Sequence, residues 1–203
     1  MSNFFRCTIV TFQIGCGKTN VLLSLIECEN GLKFENIYIY CKTLDQDKYK
    51  YLAEVLRSIK NIGFYTFTSS ENVLNPQQIK KNSLVIFDDV INDSGINRDV
   101  VRNIFTLGRH RMIDVAYLVQ TYSRLSKQLI RDNCNFVILF RQDDLNLKHV
   151  FNDMGVNADM KFDEFRQFCI ECWREPFGFA CISLEHPKNS GRYRKNFEEY
   201  LEL

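Results

Sequence analysis

Proline is scarce in this chain, three in 203 residues, and no Ser-rich, Gly-rich or single-charge block interrupts it, so nothing marks a linker or a domain boundary. No internal repeat or low-complexity segment occurs. An excess of positive charge is also missing. The 26 Lys and Arg stand against 25 Asp and Glu, which excludes a small module that binds nucleic acid by charge alone. A DNA contact therefore has to be local or shared across an assembly. Long hydrophobic runs are absent: the segments 2–10 and 84–87 are strand-sized, well short of the roughly 18 to 20 apolar residues needed to cross a bilayer. The start shows no secretory signal, so the eight cysteines are expected as reduced thiols of an intracellular protein, not as a disulfide framework. What is present is 45% hydrophobic content, enough for one sizeable core but not for two. Residues 1–203 are accordingly expected to form a single domain.

The dominant pattern is alternation. A strand over Phe5 to Val10 runs into a Gly-containing turn and a helix over Lys18 to Cys28, followed by a strand over Ile37 to Cys41 and an amphipathic helix over Asp45 to Ile59. The pattern continues through strands at Phe64 to Phe67 and Leu84 to Phe87, a helix at Asn97 to Leu107, a strand at Val115 to Val119, a short helix at Leu125 to Arg131 and a strand at Phe136 to Phe140. Such alternation predicts an α/β fold whose mostly parallel sheet carries helices on both faces. Helices near Leu145 to Asp153 and Asp163 to Trp173 precede a closing strand at Gly178 to Leu184, and the charged tail Lys188 to Leu203 is expected on the surface.

Between the first strand and the first helix stands Ile14-Gly15-Cys16-Gly17-Lys18-Thr19, the context a phosphate-binding loop requires. Gly15, Cys16 and Gly17 let backbone N–H groups turn toward phosphate oxygens at a helix N-terminus, and Lys18 reaches the β- and γ-phosphates of ATP. Thr19 is placed to coordinate Mg2+, and Asn20 completes the nucleotide-binding set. The full consensus has its first glycine where this chain has Phe12.

The run Leu84-Val85-Ile86-Phe87-Asp88-Asp89 reads as a core strand delivering two carboxylates to the carboxyl edge of the sheet, where ligands bind. Asp88 is the candidate to hold Mg2+ through its water shell, and Asp89 the candidate to polarise the attacking water. The strand Val115 to Val119 ends in Gln120-Thr121, and Gln120 is a candidate sensor able to bond both the γ-phosphate and that water. Arg109 and Arg111 follow a helix end and are candidates for an arginine finger, with Arg131 and Arg141 behind them. Cys169 and Cys172 have the spacing of half a zinc site, but no second close Cys or His pair completes it. The histidines at 110, 149 and 186 are scattered. The basic cluster Arg192-Tyr193-Arg194-Lys195 has no assigned role.

Taken in order, GCGKTN, IYIYCKTLDQDKY, LVIFDDV, GRHRMIDVAYLVQTY, IRDNCNFVILF and GFACISLEHPKNSGRYRKNF resemble the poxvirus-type branch of the FtsK/HerA packaging ATPases, with similar proteins in virophages and Polinton/Maverick-type elements. The likeness runs from Ile9 to about Phe197. It implies a RecA-like P-loop NTPase with an additional strand between the phosphate-loop and Asp-Asp strands. It also implies a homo-oligomeric ring that uses ATP and Mg2+ to pump double-stranded DNA into a capsid through capsid or portal components. By family position Lys18, Thr19, Asp88, Asp89 and Gln120 carry nucleotide binding and hydrolysis, and Phe12 departs from the family's glycine. Two other functions share these residues: a nucleotide kinase-like phosphotransferase, and a remnant that binds nucleotide without turnover.

Overall fold

The computed structural model describes residues 7–11, 18–27, 33–42, 44–45, 47–59, 61–68, 73–90, 98–125 and 133–200. They divide into two compact units, Gly17–Leu118 on one hand and Met1–Cys16 with Val119–Leu203 on the other.

In the unit Gly17–Leu118, strands β2 (Asn36–Cys41), β3 (Gly63–Thr68), β4 (Ser83–Asp88) and β5 (Ile113–Val119) are joined in the order β3-β2-β4-β5, all parallel. Parallel neighbours need long crossover connections, usually helical: α2 (Asp47–Ser58) lies between β2 and β3 and α3 (Arg98–Leu107) between β4 and β5, while α1 (Lys18–Glu27) precedes β2. Both hydrogen-bonding edges of β4 are taken within this unit, by β2 and β5, as the additional-strand arrangement requires. Every residue of β2 and β4 is buried, whereas the edge strand β3 is half-exposed, which is why the first two read as continuous apolar runs.

One face of this sheet is aromatic. The register places Phe67 beside Tyr40, Tyr40 beside Phe87 and Phe87 beside Tyr117, with ring centroids 4.8, 5.1 and 6.1 Å apart. Each such pair contributes about 0.5–1.5 kcal/mol beyond simple burial. Phe105 of α3 covers the row at 6.3 Å from Phe87. Because side chains alternate along a strand, Cys41 and Asp88 point to the opposite face, and there α2 brings Tyr49, Leu52 and Leu56, all buried at helical spacing.

In the other unit β1 (Cys7–Thr11) pairs parallel with β6 (Phe136–Leu139), and β7 (Ala180–Ser183), β8 (Tyr193–Lys195) and β9 (Glu199–Tyr200) extend it antiparallel. Helix α4 (Asp144–Asp153) is capped by the Asp143 carboxylate, which accepts the Asn146 N–H at 2.8 Å. Helix α5 (Phe162–Cys172) begins where Glu164 accepts the Lys161 N–H at 2.8 Å and buries Phe165, Phe168, Cys169 and Cys172 along one stripe. Cys169 and Cys172 are thus core thiols, with burial pushing the Cys172 thiol up to about 12.

The chain departs from the expected surface tail here. Residues 193–195 are a sheet strand, and Tyr193 is fully buried. Its hydroxyl donates to Asp159 Oδ2 at 2.6 Å, and Arg192 Nη1 donates to the same oxygen at 2.7 Å. Lys188 reaches the Asp159 carbonyl. The basic cluster is spent inside the unit, since Arg194 lies over the Tyr200 ring and Lys195 pairs with Glu175. A 3-10 turn spans Tyr122–Arg124 with Leu125 at its end, and residues 126–131 of the short helix expected at Leu125 to Arg131 lie outside the described residues.

Burial alone would raise the Asp159 carboxyl, but Tyr193 and Arg192 overcome it and hold the group below the usual range. A depressed folded pKa gives stability that is present above the unfolded value, about 3.9, and lost as pH falls through the folded one. Asp159→Asn is therefore expected to cost about 2 kcal/mol in urea unfolding at pH 7, with the gap from wild type closing below about pH 4. A gap that persists undiminished in acid would refute the charge-based account.

Candidate functional site

Of the residues picked out by sequence, Asp88 and Asp89 stand at the carboxyl end of β4 and Gln120 follows the carboxyl end of β5, whereas Arg109 and Arg111 precede the start of β5. β1 ends at Thr11 and α1 begins at Lys18. Phe12, Gly15, Cys16 and Gly17 lie outside the described residues, as do the side chains of Lys18, Thr19 and Arg109. Lys18 and Thr19 occupy the first turn of α1, and Asn20 beside them is exposed. The helix is held by Leu22 and Leu23, which are buried.

Asp88 is the last residue of β4, in register with Cys41 at the end of β2 and with Leu118 near the end of β5. It is only 5% exposed. A carboxylate at that depth needs donors, and α2 supplies one: Tyr49 Oη donates to Asp88 Oδ2 at 2.5 Å, while Cys41 Sγ sits 3.7 Å from the same oxygen. Burial, then the nearby Asp88 charge, push the Tyr49 phenol well above its ordinary range, so it remains a neutral donor. Asp89 follows at φ 54°, in the left-handed region, with its N–H on the Leu118 carbonyl at 3.0 Å. Left-handed backbone is uncommon outside glycine, and Asp and Asn tolerate it best. The turn takes the chain out of the sheet immediately after Asp88 and leaves Asp89 half-buried. Gln120, also half-buried, directly follows β5.

Sequence reasoning missed Tyr49 and Cys41. The signal available was the ending of the apolar run IYIYC beside a parallel run ending in Asp88; nothing in α2's periodicity distinguishes Tyr49 from the other buried residues of its stripe. Of the remaining candidates, Arg111 donates to the carbonyls of Gln77 and Ile79 at 3.4 and 3.5 Å, which ties it to the segment before β4. Arg141 and His110 are exposed, and His149 is half-buried on α4. His186 meets Ser183 Oγ at 2.8 Å, and burial followed by the Arg194 charge lowers its pKa.

Compared with known proteins, residues 1–165 match the family described as Poxvirus A32 protein. Among solved structures the chain is similar to the genome packaging NTPase B204 from Sulfolobus turreted icosahedral virus 2. The sulfate complex of that protein matches with a TM-score of 0.65 at 10% identity, covering 100% of both chains. Its ATP-gammaS complex matches with a TM-score of 0.60 at 8% identity over 98% of this chain and 100% of that one. Its AMP complex gives 0.58 at 10% identity over 92% and 100%. These likenesses establish the RecA-like P-loop fold. No curated protein matches the chain significantly.

Proposed function

This chain belongs to the poxvirus A32 protein family, and we infer from this and from its nucleotide-type sheet edge that it is an ATP-hydrolysing motor that packages double-stranded viral DNA. The observation that carries the reading is the end of β4. A buried carboxylate, Asp88, and a half-buried one, Asp89, leave a parallel sheet at the edge where such folds bind ligands. The sequence Gly15-Cys16-Gly17-Lys18-Thr19 stands in the same chain, with Lys18 and Thr19 in the first turn of α1.

The backbone of Gly15, Cys16 and Gly17 cradles the phosphates, the Lys18 ammonium takes their charge, and Asn20 borders the nucleotide. Thr19 and Asp88 offer hard oxygen donors, the donor chemistry that suits Mg2+, and hold that ion at the phosphates. Bound there, Mg2+ neutralises charge on the β- and γ-phosphoryl oxygens. Asp89 orients and deprotonates the attacking water, Gln120 contacts the γ-phosphate and that water, and Arg109 reaches a neighbouring subunit's ATP. Residues 1–203 work as one ATPase domain, several copies form a ring, and the ring acts on DNA at the capsid inside the infected cell. Among the described residues no helix is long and apolar enough to cross a membrane. The basic cluster at 192–195 is engaged internally, so the DNA grip comes from other residues assembled around the ring.

Purified protein is expected to release phosphate from ATP, and the rate is expected to rise severalfold on addition of linear double-stranded DNA. Transfer of phosphate to nucleosides would replace the motor with a kinase. Tight nucleotide binding with no turnover would make the chain a remnant.

A further inference from the structure

Asp88 is fixed at its backbone by β2 on one side and β5 on the other. Two torsions of its side chain are left to set where the carboxylate faces. Among the described residues, one constraint on both comes from the hydroxyl of Tyr49 in the first turn of α2, a residue 2% exposed whose Oη lies 2.5 Å from Oδ2. Helix α2 opens at Asp47, six positions after Cys41 ends β2, so the strand that delivers Cys41 and the helix that delivers Tyr49 converge on the same carboxylate oxygen. A bond this short from a phenol to a carboxylate is of the charge-assisted kind, strong and directional.

We propose that Tyr49 is a positioning residue for the metal-holding carboxylate: its hydroxyl fixes the plane of Asp88, and that plane sets how well the active site grips the divalent cation accompanying ATP. The proposal rests on the ATPase reading above. Outer-shell partners of this sort orient the groups that hold a metal, and their loss typically weakens metal affinity 10–100-fold. The Cys41 thiol reaches the same oxygen at 3.7 Å but is a weak donor that holds it less firmly than a hydroxyl. Helix α2 thereby becomes part of the metal site, and a shift of its first turn relative to β4 would be felt at the cation.

The test is Tyr49→Phe, which keeps the buried ring and deletes only the hydroxyl. Mn2+ binding is followed by the electron paramagnetic resonance signal of free Mn2+, with a saturating non-hydrolysable ATP analogue. Affinity is expected to fall about tenfold, while binding of the same analogue in EDTA stays within twofold of wild type. In turnover, the Mg2+ concentration giving half-maximal rate rises by the same factor, and the rate at saturating Mg2+ falls much less. Leu52→Val loosens the same helix without touching Asp88, since Leu52 is fully buried one turn further on, and is expected to leave Mn2+ affinity unchanged. Equal Mn2+ affinity in Tyr49→Phe and wild type overturns the positioning role alone. An equal loss in Leu52→Val overturns it too, by making the effect one of packing. Wild-type protein that binds neither the analogue nor Mn2+ with it overturns the ATPase reading along with this proposal.

Discussion

Lys18→Ala is expected to lower ATP turnover by roughly 10²–10³-fold, the scale on which removing one preorganised charge or donor from a transition state acts. The argument begins with the position. Lys18 is the first residue of α1, which begins after the connection from β1, so its ammonium adds a full charge to a helix end that already favours anions. Charge accumulates on phosphoryl oxygens as the terminal group transfers, and no backbone N–H can replace a mobile cation there. The fold is expected to survive the change. Helix α1 is anchored by buried Leu22 and Leu23, and alanine is the best helix former available. The thermal midpoint is therefore expected within about 2 °C of wild type. In a ring with shared sites, mixing the inactive subunits into wild type depresses DNA movement more steeply than their mole fraction. Wild-type turnover in the variant would remove the phosphate-loop assignment, and a strictly proportional loss on mixing would argue for independent monomers.

Much of the architecture was legible because the strands that matter are buried on both faces. β2, β4 and the end of β5 appear as uninterrupted apolar runs, and each ends at or beside a polar residue that the sheet places at its carboxyl edge. The helices were legible for a related reason: α2, α3 and α5 each bury a stripe at helical spacing. Long-range pairings by side chains were not legible. Tyr49 meets Asp88 across 39 positions, and Tyr193 meets Asp159 across 34, through single hydrogen bonds that leave no periodic trace. The same limit explains the misread tail. Charged letters around Tyr193 suggest solvent, but a three-residue strand with its arginine neighbours satisfied by one carboxylate and by carbonyls costs little to place against β7. The left-handed turn at Asp89 was hidden too, because the letter there is not glycine.

That turn makes Asp89 a position where backbone and chemistry can be tested apart. Asp89→Asn is expected to slow ATP turnover by roughly 10²–10⁴-fold, the usual contribution of a positioned general base, while Mg-ATP binding stays within a few-fold of wild type. Asparagine has the size of aspartate, accepts the φ of 54° as readily, and keeps the N–H that bonds Leu118. What it loses is the charge and the basicity needed to take a proton from water. Asp89→Ala loses the same chemistry and adds backbone strain, because a Cβ without a local polar bond in left-handed backbone costs roughly 1–2 kcal/mol. The alanine variant should therefore melt below the asparagine variant although both are inactive, and Asp89→Gly should recover much of that stability without recovering turnover. Binding measured by titration with a non-hydrolysable analogue, turnover by phosphate release and melting by calorimetry separate the three effects. If Asp89→Asn loses binding and turnover in equal measure, Asp89 holds the metal together with Asp88, and the base that activates water has to be sought elsewhere.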